Sequence, residues 1–124
     1  MQKKVLIVDD EILIAMFLQD VVEDAGFEIC GIAASLDEAR TTSASAKPDI
    51  AIVDMNLRGS GSGLDVGRHL VETYGTAVIF ITGEGDLAGR SEMGSINPVA
   101  VLQKPCLPNA IERALQSAEQ RLAA

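Results

Sequence analysis

Short, largely apolar runs alternate with longer amphipathic stretches along this chain. The apolar runs are four to seven residues long, which is typical of buried strands; they are 5–8, 27–33, 50–53, 77–81 and 99–102. Elsewhere apolar residues recur at helical spacing, and the predicted helices are 12–25, 36–46, 64–73, 83–97 and 108–122. Strands that alternate with helices predict a parallel sheet covered by helices on both faces.

Turn and cap residues mark the element boundaries. Gly26 and Gly75 follow the first and third predicted helices and are expected to end them. Ser35 with Glu38 three residues later predicts a capping box at the start of the second helix.

The predicted fourth helix is weak. It contains three glycines, and each interior glycine costs about 1 kcal/mol relative to alanine; they are Gly85, Gly89 and Gly94. We therefore expect a short, fraying helix over 83–97.

Five strands and five helices, joined by right-handed crossovers, favour an α/β fold with a doubly wound five-stranded parallel sheet in the order 2-1-3-4-5. In that order the chain reverses direction between strands one and three, and ligands bind in the crevice beyond the carboxyl ends of those strands. The 124 residues suit one domain, so we expect a single domain over 1–124 with no output domain.

Composition narrows the function classes. The net charge of −8 argues against binding to nucleic acid or to an anionic membrane. No window approaches the about 20 apolar residues of a membrane span, and no signal peptide is recognisable, so the cytoplasm is the expected location. Cys30 lies in an apolar run and is predicted to be a buried free thiol, whereas His69 is predicted to be a surface residue.

Charged and polar residues lie where the predicted strands end. Asp9 and Asp10 follow the first strand, and Asp54, Thr82 and Lys104 follow the third, fourth and fifth. Because parallel strands end at one edge of a sheet, these five side chains are expected to meet in one crevice. Three carboxylates in one site repel each other, and Mg²⁺, a hard cation with oxygen ligands, would relieve that repulsion.

This arrangement suits phosphoryl transfer. Asp54 is the candidate nucleophile, because a carboxylate can form an aspartyl phosphate. Lys104 would supply positive charge to the phosphoryl group, and the Thr82 hydroxyl could donate to another of its oxygens.

Four short motifs carry a family resemblance that extends over the whole chain. They are VLIVDDE (5–11), IVDMN (52–56), FITGEG (80–85) and QKP (103–105). Together and in this order they resemble the receiver domain of bacterial two-component response regulators, of the stand-alone type. The resemblance implies the flavodoxin-like receiver fold and a signalling domain that catalyses only its own phosphorylation and dephosphorylation.

By that resemblance, Asp54 accepts a phosphoryl group from a sensor histidine kinase or a phosphotransfer protein. The implied ligands of Mg²⁺ are Asp9, Asp10, Asp54 and the main-chain carbonyl of Asn56. Mn²⁺ can substitute for Mg²⁺. The resemblance also implies a cis peptide bond between Lys104 and Pro105.

The resemblance assigns further roles at the rim of the site. Thr82 and Lys104 sense the phosphoryl group. Asn56 and Glu84 flank the path of the attacking water, and this pairing resembles chemotaxis-type receivers, so we expect a fairly short-lived phosphorylated form.

The chain departs from the usual pattern at two places. Val101 occupies the position of the aromatic residue to which the threonine is usually coupled. FITGEG partly resembles the FAT GUY subgroup, which lacks that aromatic and in which the fourth helix reorders on phosphorylation.

Arg58 and the following glycine–serine run replace a usual proline, and a flexible loop is the favoured interpretation over nucleotide binding.

The expected output is a change in protein contacts around the fourth predicted helix, the fifth strand and the last helix. The downstream protein is unknown, a homodimer through the same face is left open, and neither nucleic acid nor membrane is an expected partner.

Three other functions fit these residues less well. A phosphatase of haloacid-dehalogenase type needs an acid two residues after the nucleophile, where this chain has Asn56. A flavodoxin-like cofactor binder would need aromatic residues near the crevice, and aromatics make up only 3% of this chain. A receiver that only binds partners without phosphorylation is disfavoured by the complete polar set, although Val101 keeps it open.

Overall fold

A computed structural model describes residues 2–57, 62–83 and 96–123 of the chain. The strands are β1 (Lys4–Val8), β2 (Glu28–Ala33), β3 (Ile50–Asp54), β4 (Ala77–Thr82) and β5 (Ala100–Gln103). The helices within the described residues are α1 (Ile12–Asp24), α2 (Leu36–Ala46), α3 (Gly63–Tyr74) and α4 (Pro108–Ala123). The additional helix predicted over 83–97 lies almost entirely outside the described residues.

The five strands form one parallel sheet in the order β2-β1-β3-β4-β5, which confirms the predicted topology. Strand β3 lies at the centre of the sheet, between β1 and β4. Because all strands run in the same direction, their carboxyl ends share one edge, and this edge carries the polar residues that follow the strands.

Two apolar cores lie on opposite faces of the sheet, because alternate strand residues point to opposite sides. On one face, Ile7, Ile52 and Ile79 pack with α1 and α4. On the other, Val53 and Phe80 pack with residues of α2 and α3. Both faces of the central strands are buried, which explains why these strands are continuous apolar runs.

Local caps end the helices mostly as expected. Gly26 and Gly75 adopt positive φ angles of 91° and 68° just beyond α1 and α3. The Ser35 hydroxyl accepts a hydrogen bond from the Glu38 amide at 3.2 Å. The Glu38 carboxylate bonds the amide of Ala34 at 2.9 Å rather than that of Ser35, so the second half of the predicted capping box is displaced by one residue.

Two expectations about single side chains are met only in part: the Cys30 thiol is free as predicted, but neither Cys30 nor His69 has the predicted burial. Cys30 is only half-buried, because β2 is an edge strand and one side of it lacks a neighbour. His69 is half-buried on α3 rather than fully on the surface: its ring lies edge-on to Tyr74 at 6.1 Å, and its Nδ1 lies 3.4 Å from the hydroxyl of Thr73.

Among the described residues, no helix combines the length and the apolar character that a membrane crossing requires.

Candidate phosphoryl and metal site

An acidic cluster occupies the carboxyl edge of the sheet, at the place where the chain reverses direction. One carboxylate oxygen each of Asp9, Asp10 and Asp54 lies within 4.8 Å of the others. Strands β1 and β3 are neighbours and end level with each other, since Val8 pairs with Val53. The strand register therefore brings together carboxylates that are distant in the sequence.

Asp9 is buried, and only one of its two carboxylate oxygens has a hydrogen-bond partner among the described residues. Its side chain is 2% exposed. Oδ1 accepts the Glu11 amide at 2.9 Å, but Oδ2 has no hydrogen-bond partner among the described residues. Burial, with a smaller contribution from the Asp54 charge, raises the pKa of Asp9 to about 6, because the Glu11 amide and Lys104 offset these effects only in part.

Asp54 is equally buried but has two partners. Oδ1 accepts the amide of Asn56 at 3.0 Å, and Oδ2 lies 3.3 Å from Nζ of Lys104 in a salt bridge. Burial alone would lower the pKa of Lys104, but the charge of Asp54, the hydrogen bond to it and the charges of Asp9 and Glu11 together outweigh burial, so the pKa is raised. Lys104 is therefore held as a cation beside Asp54.

The neighbouring strands fix the position of the lysine. The Lys104 amide donates to the carbonyl of Thr82 at 2.8 Å, which ties the end of β5 to the end of β4. The peptide bond between Lys104 and Pro105 is cis, as predicted. The Thr82 side chain is buried at the end of β4, the strand beside β3.

The remaining predicted site residues have different surroundings. Asn56 is exposed just beyond β3, with its backbone amide turned to Asp54. Val101 lies on β5 opposite Phe80 and is 38% exposed, so no ring is available at this position to pack inward. Glu84 and Arg58 lie outside the described residues.

The donor set fits a hard divalent cation. Lys104 offers one positive charge to three clustered carboxyl groups, and an oxygen of buried Asp9 has no partner in the described chain. Oxygen ligands of this kind are the ones that Mg²⁺ prefers. A cation would both satisfy Asp9 and relieve its repulsion from Asp54.

An apolar groove begins beside this cluster, and the sequence reasoning missed it. The groove has a volume of about 500 Å³ and runs between α1 and the segment after β5, where Phe17, Pro105 and Cys106 line it. Beyond it, Leu13 of α1 and Leu107 are 77% and 63% exposed. The sequence feature that could have predicted this groove is the first turn of α1, which has more apolar residues than one buried helix face requires.

The fold and the acidic cluster together define a small signalling domain of the receiver type. The family model for the response regulator receiver domain matches residues 5–116. The chain therefore belongs to the response regulator receiver domain family, whose members act in two-component phosphorelay signalling.

Similar proteins include both long and short regulators. The phyllosphere-induced regulator PhyR of Methylorubrum extorquens is 34% identical over 121 residues, covering 95% of this chain and 44% of that protein. The chemotaxis protein CheY of Thermotoga maritima is 30% identical over 116 residues, covering 93% of this chain and 96% of that protein. A signal receiver domain of a modulated diguanylate cyclase from Desulfovibrio desulfuricans superposes with a TM-score of 0.90 at 28% identity, covering all of both chains.

The chain spans less than half the length of the first curated relatives that it matches. What it shares with them is the receiver portion. Receiver domains generally bind Mg²⁺ through an acidic pocket and interact with histidine kinases or phosphotransfer proteins, and the described part of this chain contains a cluster of three aspartates.

Proposed function

We propose that this chain acts as a single receiver domain over residues 1–124 that accepts a phosphoryl group on Asp54 from a histidine kinase or a phosphotransfer protein. One observation carries the proposal: the buried Asp54 carboxylate lies between Lys104, at 3.3 Å, and the carboxylates of Asp9 and Asp10, within 4.8 Å. No other titratable group in this crevice is placed on the central strand.

Mg²⁺ is the proposed cofactor, with Mn²⁺ as a substitute. The proposed ligands are Asp9, Asp10, Asp54 and the main-chain carbonyl of Asn56. The Oδ2 atom of Asp9 supports this choice, because it has no donor among the described residues and a buried carboxylate oxygen without a donor is costly. When bound, the ion supplies positive charge that offsets the charge of the carboxylates and of the phosphoryl oxygens.

Three side chains of the site carry out the proposed phosphoryl transfer. An oxygen of Asp54 attacks phosphorus, a new O–P bond forms, and the P–N bond to the donor histidine breaks with its electron pair passing to that nitrogen. Lys104 is close enough to transfer its hydrogen bond from Asp54 to a phosphoryl oxygen, and the Thr82 hydroxyl donates to another. Because the attacking group is a carboxylate, no general base is required.

The proposed output is a change in the surface formed by 83–97, β5 and α4. Thr82 links the phosphoryl group to this region, because β4 leads directly into 83–97. Val101 lacks a ring, so the signal is proposed to pass through ordering of 83–97 instead of an aromatic switch. Hydrogen exchange over 83–97, with and without a phosphate mimic, measures the ordering, and equal protection in both states would contradict it.

Asn56 and Glu84 are proposed to keep the phosphorylated form short-lived.

The apolar face of α1 is the proposed contact for the phosphodonor protein. A donor histidine must reach Asp54 from the open edge of the sheet, and the groove lined by Phe17 and Pro105 begins at Lys104 on that edge. Leu13→Glu should slow transfer from a protein donor about tenfold while leaving phosphorylation by acetyl phosphate unchanged. Equal loss with both donors would instead indicate damage to the site.

The main experiment uses the purified chain, Mg²⁺ and acetyl phosphate. Intact-mass measurement should show one added phosphoryl group, and Asp54→Asn should abolish it. Asp49→Asn is the matched control, because Asp49 is an acid at the opposite end of the sheet and its variant should still be phosphorylated. Phosphorylation that persists in Asp54→Asn, or fails in the unaltered chain, would refute the proposal.

A further inference from the structure

We infer that Gly63 is a positioning residue for the Asp54 site, an inference that rests on the proposed function. Gly63 is the first residue of α3 and lies directly against the backbone that follows the end of β3. A Cβ atom at Gly63 would lie 2.3 Å from the carbonyl oxygen of Asp54 and 2.5 Å from Cα of Met55. These are backbone atoms, so no flexible side chain can move aside.

Hydrogen bonds hold the same backbone from both sides. The Met55 amide donates to the carbonyl of Ile81 in β4 at 3.0 Å, and the Gly63 amide donates to the carbonyl of Met55 at 3.2 Å. Residue 55 is thus fixed between the central sheet and the beginning of α3. The residues on either side of it are Asp54 and Asn56, which are a proposed phosphoacceptor and a proposed metal ligand.

The start of α3 is itself rigidly capped. The Ser62 hydroxyl accepts the amide of Asp65, and the Asp65 carboxylate accepts the amide of Ser62 at 2.9 Å, which forms a complete capping box. The chain therefore cannot easily absorb an added methyl group by unwinding the first turn of this helix.

The consequence for the site is geometric. A Cβ contact must lengthen from 2.3 Å to at least 3.0 Å, so either α3 or the backbone at 54–56 has to move. A shift of the backbone at 54–56 would separate the Asp54 carboxylate and the Asn56 carbonyl from Asp9, which directly follows β1. Residues that orient metal ligands typically change metal affinity about 10- to 100-fold when they are altered.

Gly67 provides a matched control on the same helix. A Cβ atom there would lie 2.5 Å from the ring of Phe80, which belongs to the buried core on that face of the sheet. Gly63→Ala and Gly67→Ala therefore introduce the same methyl group at contacts of 2.3 Å and 2.5 Å, and only the first contact is with the site backbone.

The test is calorimetric titration of each folded protein with Mg²⁺, together with its thermal unfolding midpoint. Both variants should unfold at lower temperature than the unaltered chain. Gly63→Ala should bind Mg²⁺ about tenfold more weakly, whereas Gly67→Ala should stay within about twofold. Equal affinities in the two variants would overturn the positioning role. Absence of Mg²⁺ binding in the unaltered chain would instead refute the proposed function.

A milder pair keeps the test decisive if Gly63→Ala does not fold. Ser62→Ala removes the cap that fixes the start of α3, and Ser35→Ala removes the corresponding cap of α2. The Ser62 variant should weaken Mg²⁺ binding about threefold and the Ser35 variant should not. Unchanged affinity in the Ser62 variant would overturn the inference.

Discussion

The charged residues at the two ends of the parallel sheet differ in burial and in hydrogen bonding. At the amino end, the Asp49 carboxylate accepts the amide of Lys4 at 2.9 Å, and Nζ of Lys4 donates to the carbonyl of Ala46 at 2.7 Å. At the carboxyl end, Asp9 and Asp54 are both 2% exposed, and one oxygen of Asp9 has no partner in the described chain.

This difference separates charged residues that bond within the protein from the acids that are proposed to bind a cation. At the amino end each charged side chain has a hydrogen-bond partner in the protein, and both residues are only partly buried, so water can reach their remaining polar atoms. The carboxyl-end acids lie close together, two of them are buried, and Lys104 is the lysine placed beside them among the described residues, so their environment favours a bound cation. An incompletely satisfied buried carboxylate is therefore a better indicator of the site than acidic character alone.

The largest effect on stability is expected from Asp9. Its folded-state pKa of about 6 exceeds its ordinary value of 3.8, so the folded chain holds the proton more tightly than the unfolded chain. The penalty for ionising Asp9 is therefore absent at low pH, develops as the pH rises from about 4 to about 6, and is complete at neutral pH. Each pKa unit is worth about 1.4 kcal/mol, which gives a penalty of about 2–3 kcal/mol.

Asp9→Asn removes this penalty. In metal-free buffer the variant should be more stable than the unaltered chain by about 2–3 kcal/mol at pH 7 and by close to nothing at pH 4. Urea unfolding at both pH values measures the difference. A gain that is the same at both pH values would show that the ionisation of Asp9 is not its cause.

A smaller loss is expected at the amino end. Lys4→Met keeps most of the side-chain volume but removes the 2.7 Å hydrogen bond to Ala46. The expected cost is about 1–2 kcal/mol in the free energy of unfolding, since the lost bond has a charged donor. Mg²⁺ affinity should not change, and a tenfold change would remove the distinction between the two ends.

Much of this arrangement could be predicted from the sequence. The apolar runs locate all five strands to within about one residue, because both faces of the central strands are buried. Once the strand order is known, Asp9, Asp54 and Lys104 must share one edge. The half-burial of Cys30 could also have been predicted, since the predicted strand order already places the second strand at an edge of the sheet.

The rest depends on distances that residue patterns do not contain. Gly63 belongs to a glycine- and serine-rich stretch, and its composition predicts a loop rather than a helix start pressed onto a strand end. Likewise, the pattern of three acids does not reveal which oxygen lacks a donor. The unpartnered Oδ2 of Asp9 and the close approach of Gly63 to Asp54 are visible only once side chains and backbone are placed.

The central claim is that the carboxyl-end acids form one cation site, and Mg²⁺ titration of the metal-free chain tests it most directly. The unaltered chain and Asp49→Asn should bind one Mg²⁺ with similar affinity, while Asp9→Asn should bind at least tenfold more weakly. If Asp9→Asn bound Mg²⁺ as tightly as the unaltered chain, the acids at this edge would not be acting together on a cation.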